Sequence, residues 1–254
     1  MIKYGISILS TIPVRIDSND KSEMTSQILF GEHFKILKEN KNWSFIQLEH
    51  DKYQGWICNK QFTYINKDEY DNLSIDNKFF TKNITSKIKD LNNQSIVLGS
   101  TLPSYSKKQI KINNKIYNFY APTYQSSNIK KDLIKLAYKF LNTPYMWGGR
   151  TIFGIDCSGF TQLVYRLNGI NIPRDAYQQA EVGSKIKDIK DGYASDLAFF
   201  GNQKITHVGI ILKNNNIIHA SGEVRIDKID STGIYNENRG DYTHKLKLIK
   251  RIVV

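Results

Sequence analysis

One of the two cysteines in this chain stands where a helix should begin. In "GIDCSGFTQLVYRLNG" (154–169), Phe160, Leu163, Val164 and Leu167 recur at helical spacing, so an amphipathic helix with one buried face follows Cys157. Asp156 is a natural N-cap and Gly169 a natural C′ residue. Cys157 then takes the first helical position, off the apolar stripe, among unpaired N–H groups at the positive end of the helix dipole. Those conditions depress a thiol pKa, and the thiolate is the nucleophile. On placement alone, a small buried residue filling the helix start is the competing reading.

A nucleophilic thiol needs a base, and the base needs an orienting group. Of the five histidines, His33, His50 and His244 lie in polar, unpatterned stretches and read as surface residues. His207 opens the apolar strand "HVGIIL", and His219 closes "IIHA" beyond the turn "KNNN". If that hairpin has an odd-numbered loop, residue 207 opposes 221 and His219 lies two along on the same face. Diagonal neighbours of that kind are within imidazole reach of each other. An even loop would separate them and leave two half-buried strand histidines. With the cysteine helix, the pattern favours Cys-His-His. The other cysteine, Cys58 in "GWICNK", reads as a buried structural thiol, and its spacing to Cys157 suggests no disulfide framework. No metal-ligand spacing occurs, so neither metal nor cofactor is expected.

These residues need scaffolds. Residues 1–66 alternate short apolar runs with turn residues, the signature of a small β-barrel. "INKDEYDNLSIDNK" (65–78) is apolar-poor and reads as a linker. In "QIKINNKIYNFYAPTY", alternation about Asn113 and Asn114 marks a β-hairpin, and residues 67–126 read as a second, diverged copy of the first module. From about residue 127 the texture changes. Apolar residues at 129, 133, 136, 137, 140 and 141 form a helical stripe ending at Pro144. A glycine-rich loop, the cysteine helix and the strands "LAFFG", "THVGIIL" and "NIIHASG" follow, giving an α+β unit over 127–254.

Composition bounds the partners. Hydrophobic residues make up 40% of the chain and aromatics 12%, enough for packed cores and against disorder. The net charge of +12 favours an anionic partner, yet its lysines are scattered among Asn and Ile with no Arg-rich block. A generally basic surface, and no nucleic-acid site, is the expectation. No run of ~18 apolar residues exists, so no membrane-spanning helix is expected. The start, "MIKYGISILSTIPVR", reads as a first strand and not as a signal peptide. A cytoplasmic location is expected, or a periplasmic or secreted one if the chain is already processed.

"PYMWGGRTIFGIDCSGF", "ITHVGIIL" and "IIHASG" resemble the NlpC family of papain-like bacterial cell-wall cysteine peptidases, over roughly residues 127–254. The blocks Y-x-W-G-G, D-C-S-G-F and H-V-G occur in order. Upstream, "PVR", "SEMTSQILFGE" and "DKYQGWI" are similar to bacterial SH3 domains, and "IPRDAYQQA" (172–180) resembles the YkfC-like subgroup. The resemblance implies an α+β chain, with two small SH3-like β-barrels (1–66 and 67–126) before a papain-like peptidase domain (127–254). It further implies cleavage between γ-D-glutamate and the diamino acid of peptidoglycan stem peptides with a free N-terminal L-alanine; a monomer without cofactor is the expectation. Cys157 would be the nucleophile, His207 the base and His219 the orienting residue, with Tyr145 beside the thiol as an oxyanion donor. Glu23 and Asp175 would hold the substrate's ammonium, Tyr53 would wall that end, and Ser158 and Arg174 would face the D-glutamyl carboxylate or nearby backbone. Ala176 departs from a position often polar in this block, which puts one substrate hydrogen bond in doubt. Glu23, Tyr53 and Arg174 rest on the resemblance alone.

Three other readings compete. A related thiol amidase or endopeptidase acting on intact wall would not need the free amine. A wall-binding protein with an inactive third domain is opposed by the intact Cys157, His207 and His219. A redox thiol protein lacks a resolving cysteine near Cys157. The identity of the diamino acid lies on the leaving side, where the sequence is silent.

Overall fold

Alternation of apolar and polar residues builds the first seven strands. In β2 (Thr11–Arg15) Ile12 and Val14 point inward, and in β5 (Trp43–Leu48) Ile46 and Leu48 do. With β1 (Lys3–Ser7), β3 (Met24–Leu29), β4 (His33–Glu39), β6 (Gln54–Cys58) and β7 (Phe62–Ile65) they form one antiparallel sheet, ordered β3-β2-β6-β5-β4-β1-β7. This computed structural model describes residues 2–75, 78–125 and 130–252. Two compact units emerge, one of Met1–Ser127 with Trp147–Ile152, the other of Asn128–Met146 with Phe153–Val254. The glycine-rich loop, counted with the third domain on sequence grounds, thus packs in part with the first unit.

The stretch read as a linker contains a helix, α1 (Lys67–Ile75). Two apolar residues one turn apart, Tyr70 and Leu73, are enough to bury one face. Its start is capped by Asn66 Oδ1, which accepts from the Glu69 N–H at 2.8 Å. The second module is built of short pieces: β8 (Phe79–Thr81), β9 (Thr85–Ile88), β10 (Gln94–Val97), β11 (Thr101–Leu102), β12 (Gln109–Ile112), β13 (Lys115–Asn118) and β14 (Thr123–Gln125). They make three ladders, β10-β9, β11-β8-β14 and β12-β13, in place of one seven-stranded sheet. The β12–β13 hairpin turns at Asn113 and Asn114, with φ of 48° and 62°, the doubly left-handed turn Asn tolerates. Ile6, Phe30, Tyr70, Leu73, Ile96, Ile110 and Phe119 share one core, so α1 glues the second module to the first barrel. β15 (Arg150–Thr151) also belongs to this unit.

The second unit opens with α2 (Lys130–Tyr138), whose Leu133, Leu136 and Ala137 are buried. β16 (Gly154–Ile155), α3 (Cys157–Leu167) and the short α4 (Ala176–Gln179) follow. Then come β17 (Ser184–Ile186), β18 (Leu197–Phe200), β19 (His207–Ile211), β20 (Asn216–Ser221), β21 (Glu223–Ile229), β22 (Gly233–Asn236) and β23 (Asp241–Arg251). The sheet order is β17-β23-β18-β19-β20-β21-β22, and β22 also pairs with β23, so β18 to β23 close on themselves. Phe199, Val208, Ile210 and Ile218 are among its fully buried residues.

One expectation is overturned in α3. All of its residues are buried, not one face, because it packs against α2, α4 and the β19–β20 part of the sheet. Two of its polar groups are matched within this unit: Thr161 Oγ1 donates to Gln179 Oε1 at 2.7 Å, and Gln162 Nε2 to the Ile172 carbonyl at 3.1 Å. Among the described residues, no helix is long and apolar enough to cross a membrane.

Candidate active site

The start of α3 is locked before Cys157 is placed. Asp156 is extended (φ −92°, ψ 174°), and its Oδ1 accepts from the Gly159 N–H at 2.7 Å. Buried Arg174 grips both carboxylate oxygens of Asp156, at 3.0 and 2.5 Å, and donates to Ser158 Oγ at 2.9 Å. Ser158 and Arg174 are therefore brought together at the helix start, where these bonds serve the cap. Asp175 follows as the half-buried N-cap of α4, its backbone N–H donating to Gln178 Oε1 at 3.3 Å. Ala176 beyond it is buried.

Cys157 occupies the first helical position, 7% exposed, with its sulfur against the backbone N–H groups of Ser158 and Val208. Burial outweighs everything else there. Together with the Asp156 charge, it pushes the thiol up to about 12, against the pull of those N–H groups and Arg174. The depressed pKa expected from the helix terminus is thus reversed: the start of β19 covers the sulfur and removes it from water. Tyr145, half-buried, donates its backbone N–H to the Gly222 carbonyl at 2.8 Å. Burial, then the charges of Cys157 and Asp156, raise its phenol to about 12, so it remains a hydrogen-bond donor.

The two histidines meet through strand register. Gly209 pairs with His219 across β19 and β20, which places His219 on the face of His207, two residues along. Glycine is required opposite His219, because a Cβ at 209 would lie 2.8 Å from the His219 Cβ. His207 Nε2 and His219 Nδ1 are 2.8 Å apart, and His219 Nε2 is 3.0 Å from Asp227 Oδ2. Arg225 grips the same carboxylate from Nε at 2.8 Å and from its terminal nitrogen at 2.9 Å.

Protonation fixes the direction of this chain. Burial alone would raise Asp227, but hydrogen bonds from His219 and Arg225 prevail and hold its carboxyl low. An ionised Asp227 can only accept, so His219 Nε2 donates to it, and a neutral His219 then accepts at Nδ1 from His207 Nε2–H. Burial, and then repulsion by His219 and His244, hold His207 well below its ordinary value. The neutral ring keeps its lone pair on Nδ1, the one nitrogen not spent on His219.

In the first unit, Glu23 is exposed on the loop before β3, and Trp147 Nε1 donates to its Oε1 at 2.6 Å. Tyr53 is half-buried before β6, packed on the barrel core. Gly148 (φ +73°) lies so close to the Met24 carbonyl that a Cβ would come within 2.4 Å of its oxygen. Arg150 is fully buried and pairs with Glu32 at 2.9 and 3.0 Å, with the Gln27 carbonyl at 2.6 Å and with His50 Nε2 at 3.2 Å.

The NlpC/P60 family model matches residues 142–242, and that of the bacterial dipeptidyl-peptidase Sh3 domain matches 14–62. The chain carries an NlpC/P60 domain. It is a cell-wall cysteine peptidase domain preceded by a bacterial SH3 domain. A gamma-D-glutamyl-L-lysine dipeptidyl-peptidase of Bacillus cereus is 26% identical over an alignment of 266 positions that covers 91% of this chain and 78% of that protein. The Bacillus subtilis protein of the same name is 39% identical over 103 residues, 39% of this chain and 34% of that protein. The crystal structure of an NlpC/P60 family protein from Bacillus cereus shares the fold, with a TM-score of 0.79 at 20% identity over 99% of this chain and all of that one (100%).

Sequence reasoning missed two residues of the histidine cluster, Asp227 inside the NlpC/P60 match and His244 just beyond it. Asp227 sits mid-strand in "EVRIDKI", and an aspartate inside a strand is unusual enough to have flagged it. His244 is not a surface residue: it is half-buried, stacked on His207 at 4.1 Å between ring centroids. His33 and His50 are misread likewise. His33 is buried with Nε2 3.1 Å from Ser74 Oγ, and the His50 side chain, 4% exposed, lies 3.3 Å from Asp51. Their polar sequence neighbours hid them. Cys58 is half-buried and not fully buried, and neither cysteine forms a disulfide. Among the described residues, no group of three or more His, Cys, Asp or Glu is placed to hold a metal ion.

Proposed function

We propose that Cys157 is the nucleophile and His207 the general base of a peptidase that cuts stem peptides between γ-D-glutamate and the diamino acid. The substrate carries a free N-terminal L-alanine, and the released product is L-Ala-γ-D-Glu. The observation carrying this is the relay His207–His219–Asp227, whose tautomers leave the His207 Nδ1 lone pair available on the strand that covers the thiol. Thiol and imidazole are both neutral at rest. As sulfur attacks the glutamyl carbonyl, its proton passes to His207 Nδ1, and His219 and Asp227 stabilise the imidazolium. The Cys157 backbone N–H and the Tyr145 hydroxyl, kept protonated, receive the oxyanion. Collapse breaks the C–N bond and the imidazolium protonates the leaving amine. Water, deprotonated by His207, then hydrolyses the thioester and restores the thiol.

The substrate assignment is supported by the names of the Bacillus relatives and by the R-D-A-Y block. Asp175 and Glu23 are the carboxylates this reading assigns to the substrate's ammonium, with Tyr53 beside it. Arg174 and Ser158 act by holding the helix start. In the cell, such specificity suits recycling of released wall peptides. We read residues 67–126 as a second SH3-like barrel, on its antiparallel ladders and hairpin. The test is incubation with L-Ala-γ-D-Glu-meso-diaminopimelate and its L-lysine counterpart, with products weighed by mass spectrometry. L-Ala-γ-D-Glu is expected from the parent protein and none from Cys157→Ala. Equal turnover of N-acetylated peptide or digestion of intact wall would overturn the exopeptidase reading in favour of an endopeptidase.

A further inference from the structure

β23 is irregular on both sides of His244. Its register shifts against β22 between Ile234 and Tyr235, where Thr243 is extra, and against β18 between Phe199 and Phe200, where Lys247 is extra. Bulges re-aim side chains, and these two flank the histidine. Gly233 admits the close approach, since a Cβ there would lie 1.9 Å from the His244 carbonyl oxygen. The imidazole lies nearly parallel to His207 (4.1 Å, 26°), edge-on to His219 (5.7 Å, 80°) and against Phe200 (6.2 Å, 68°). Its Nδ1 is anchored 2.9 Å from Thr243 Oγ1. It also lines two cavities, one of about 550 Å³ with Lys204 and Thr206, the other of about 390 Å³ with His219 and Asp227.

We propose that His244 is a positioning residue for His207: its ring holds the base imidazole in place and keeps cavity water off the His207–His219 hydrogen bond. This rests on His207 being the base. The titratable and charged groups bonded to the stacked pair or lining its two cavities are His219 from β20, Asp227 and Arg225 from β21, Lys204 before β19, Arg239 before β23, and Tyr242 and Lys245 from β23 itself. Burial foremost, and His219 next, bring His244 down to about 4 despite the opposing Asp227 charge, so the stack is neutral against neutral across the working range. A neutral ring of the same shape should therefore serve almost as well.

Phe and Ala replacements at this position separate stacking from bulk stability. The pH dependence of peptide cleavage and of iodoacetamide alkylation at Cys157 is read for each. His244→Ala is expected to lower kcat about tenfold with KM nearly unchanged. It should also move the acid limb of both profiles up toward the unperturbed histidine value of about 6.5, as water reaches His207. His244→Phe is expected to retain most of the kcat and the low acid limb. The proposal falls if His244→Ala keeps the parental kcat and acid limb, or if His244→Phe, folded with a parental Tm, is no better than Ala. Should the Ala variant fail to fold, the Phe variant decides against the parent: a folded His244→Phe that loses about tenfold in kcat, or whose acid limb rises toward about 6.5, overturns the proposal. Alkylation needs no substrate. A shifted alkylation profile without peptide cleavage would sustain this role while sinking the substrate assignment.

Discussion

Replacing Asp227 by Asn removes one charge from the far end of the relay while leaving its shape. The path from carboxylate to base runs through hydrogen bonds of 3.0 and 2.8 Å and one imidazole ring, so the Asp227 charge lies roughly 8 Å from the His207 imidazolium that forms during attack. At an effective dielectric of about 20, that separation is worth ~2 kcal/mol, or about 30-fold in rate. The sign of the accompanying pH effect is diagnostic. Without the anion His207 is harder to protonate, so the acid limb of kcat/KM should move to lower pH by about one and a half units even as the rate falls. Mere loosening would admit water and move the limb the other way. Dipeptide release measured by mass from about pH 4 to 8 provides the profile. An Asp227→Asn rate within about twofold of the parent, or an acid limb displaced upward, would refute the relay.

Cys157→Ala should abolish turnover with an unchanged or raised Tm, because a buried polar group is exchanged for a smaller apolar one. His207→Ala should match it in activity and slow iodoacetamide at Cys157 but not at Cys58, since a thiol pushed up to about 12 depends on a base; unchanged alkylation would remove His207 from that role. Arg174→Met should deprive the buried Asp156 carboxylate of its cation, costing ~3–5 kcal/mol of stability in denaturant titration; a loss below about 1 kcal/mol would show that the cap does not depend on the pair. N-acetylation of the peptide's alanine should cut kcat/KM by about 30-fold or more, and Asp175→Asn should narrow that gap; an unaltered gap would release Asp175 from the ammonium.

Local pattern carried the helix at Cys157 with its Asp156 cap and Gly169 terminus, and the two strands that bear the histidines, while the parity of their turn was settled by the observed register. Each depends on residues a few positions apart. What escaped was set by distant chain. Asp227 and His244 reach the histidines through register in strands whose outward faces are lysine-rich and polar. The thiol's environment depended on β19 lying over the helix start, which no periodicity within 154–169 encodes. α1 was hidden by its charge, because only Tyr70 and Leu73 mark its inner face.

The fully buried Arg150 has a consequence for how this protein could be divided. Its guanidinium is answered by Glu32 and the Gln27 carbonyl, more than a hundred residues earlier in the chain. A fragment beginning at residue 128 would keep every group of the histidine relay yet leave that cation, and the Trp147 indole nitrogen, bereft of their acceptors. An orphaned guanidinium must find water, and the loop leading to the cysteine helix must move with it. The peptidase sequence is therefore not a cassette to be transplanted by cutting at the composition boundary. Shuffling it onto another partner would have to carry the first barrel's Glu32 and Gln27 along, or replace Arg150 with a residue content to face solvent.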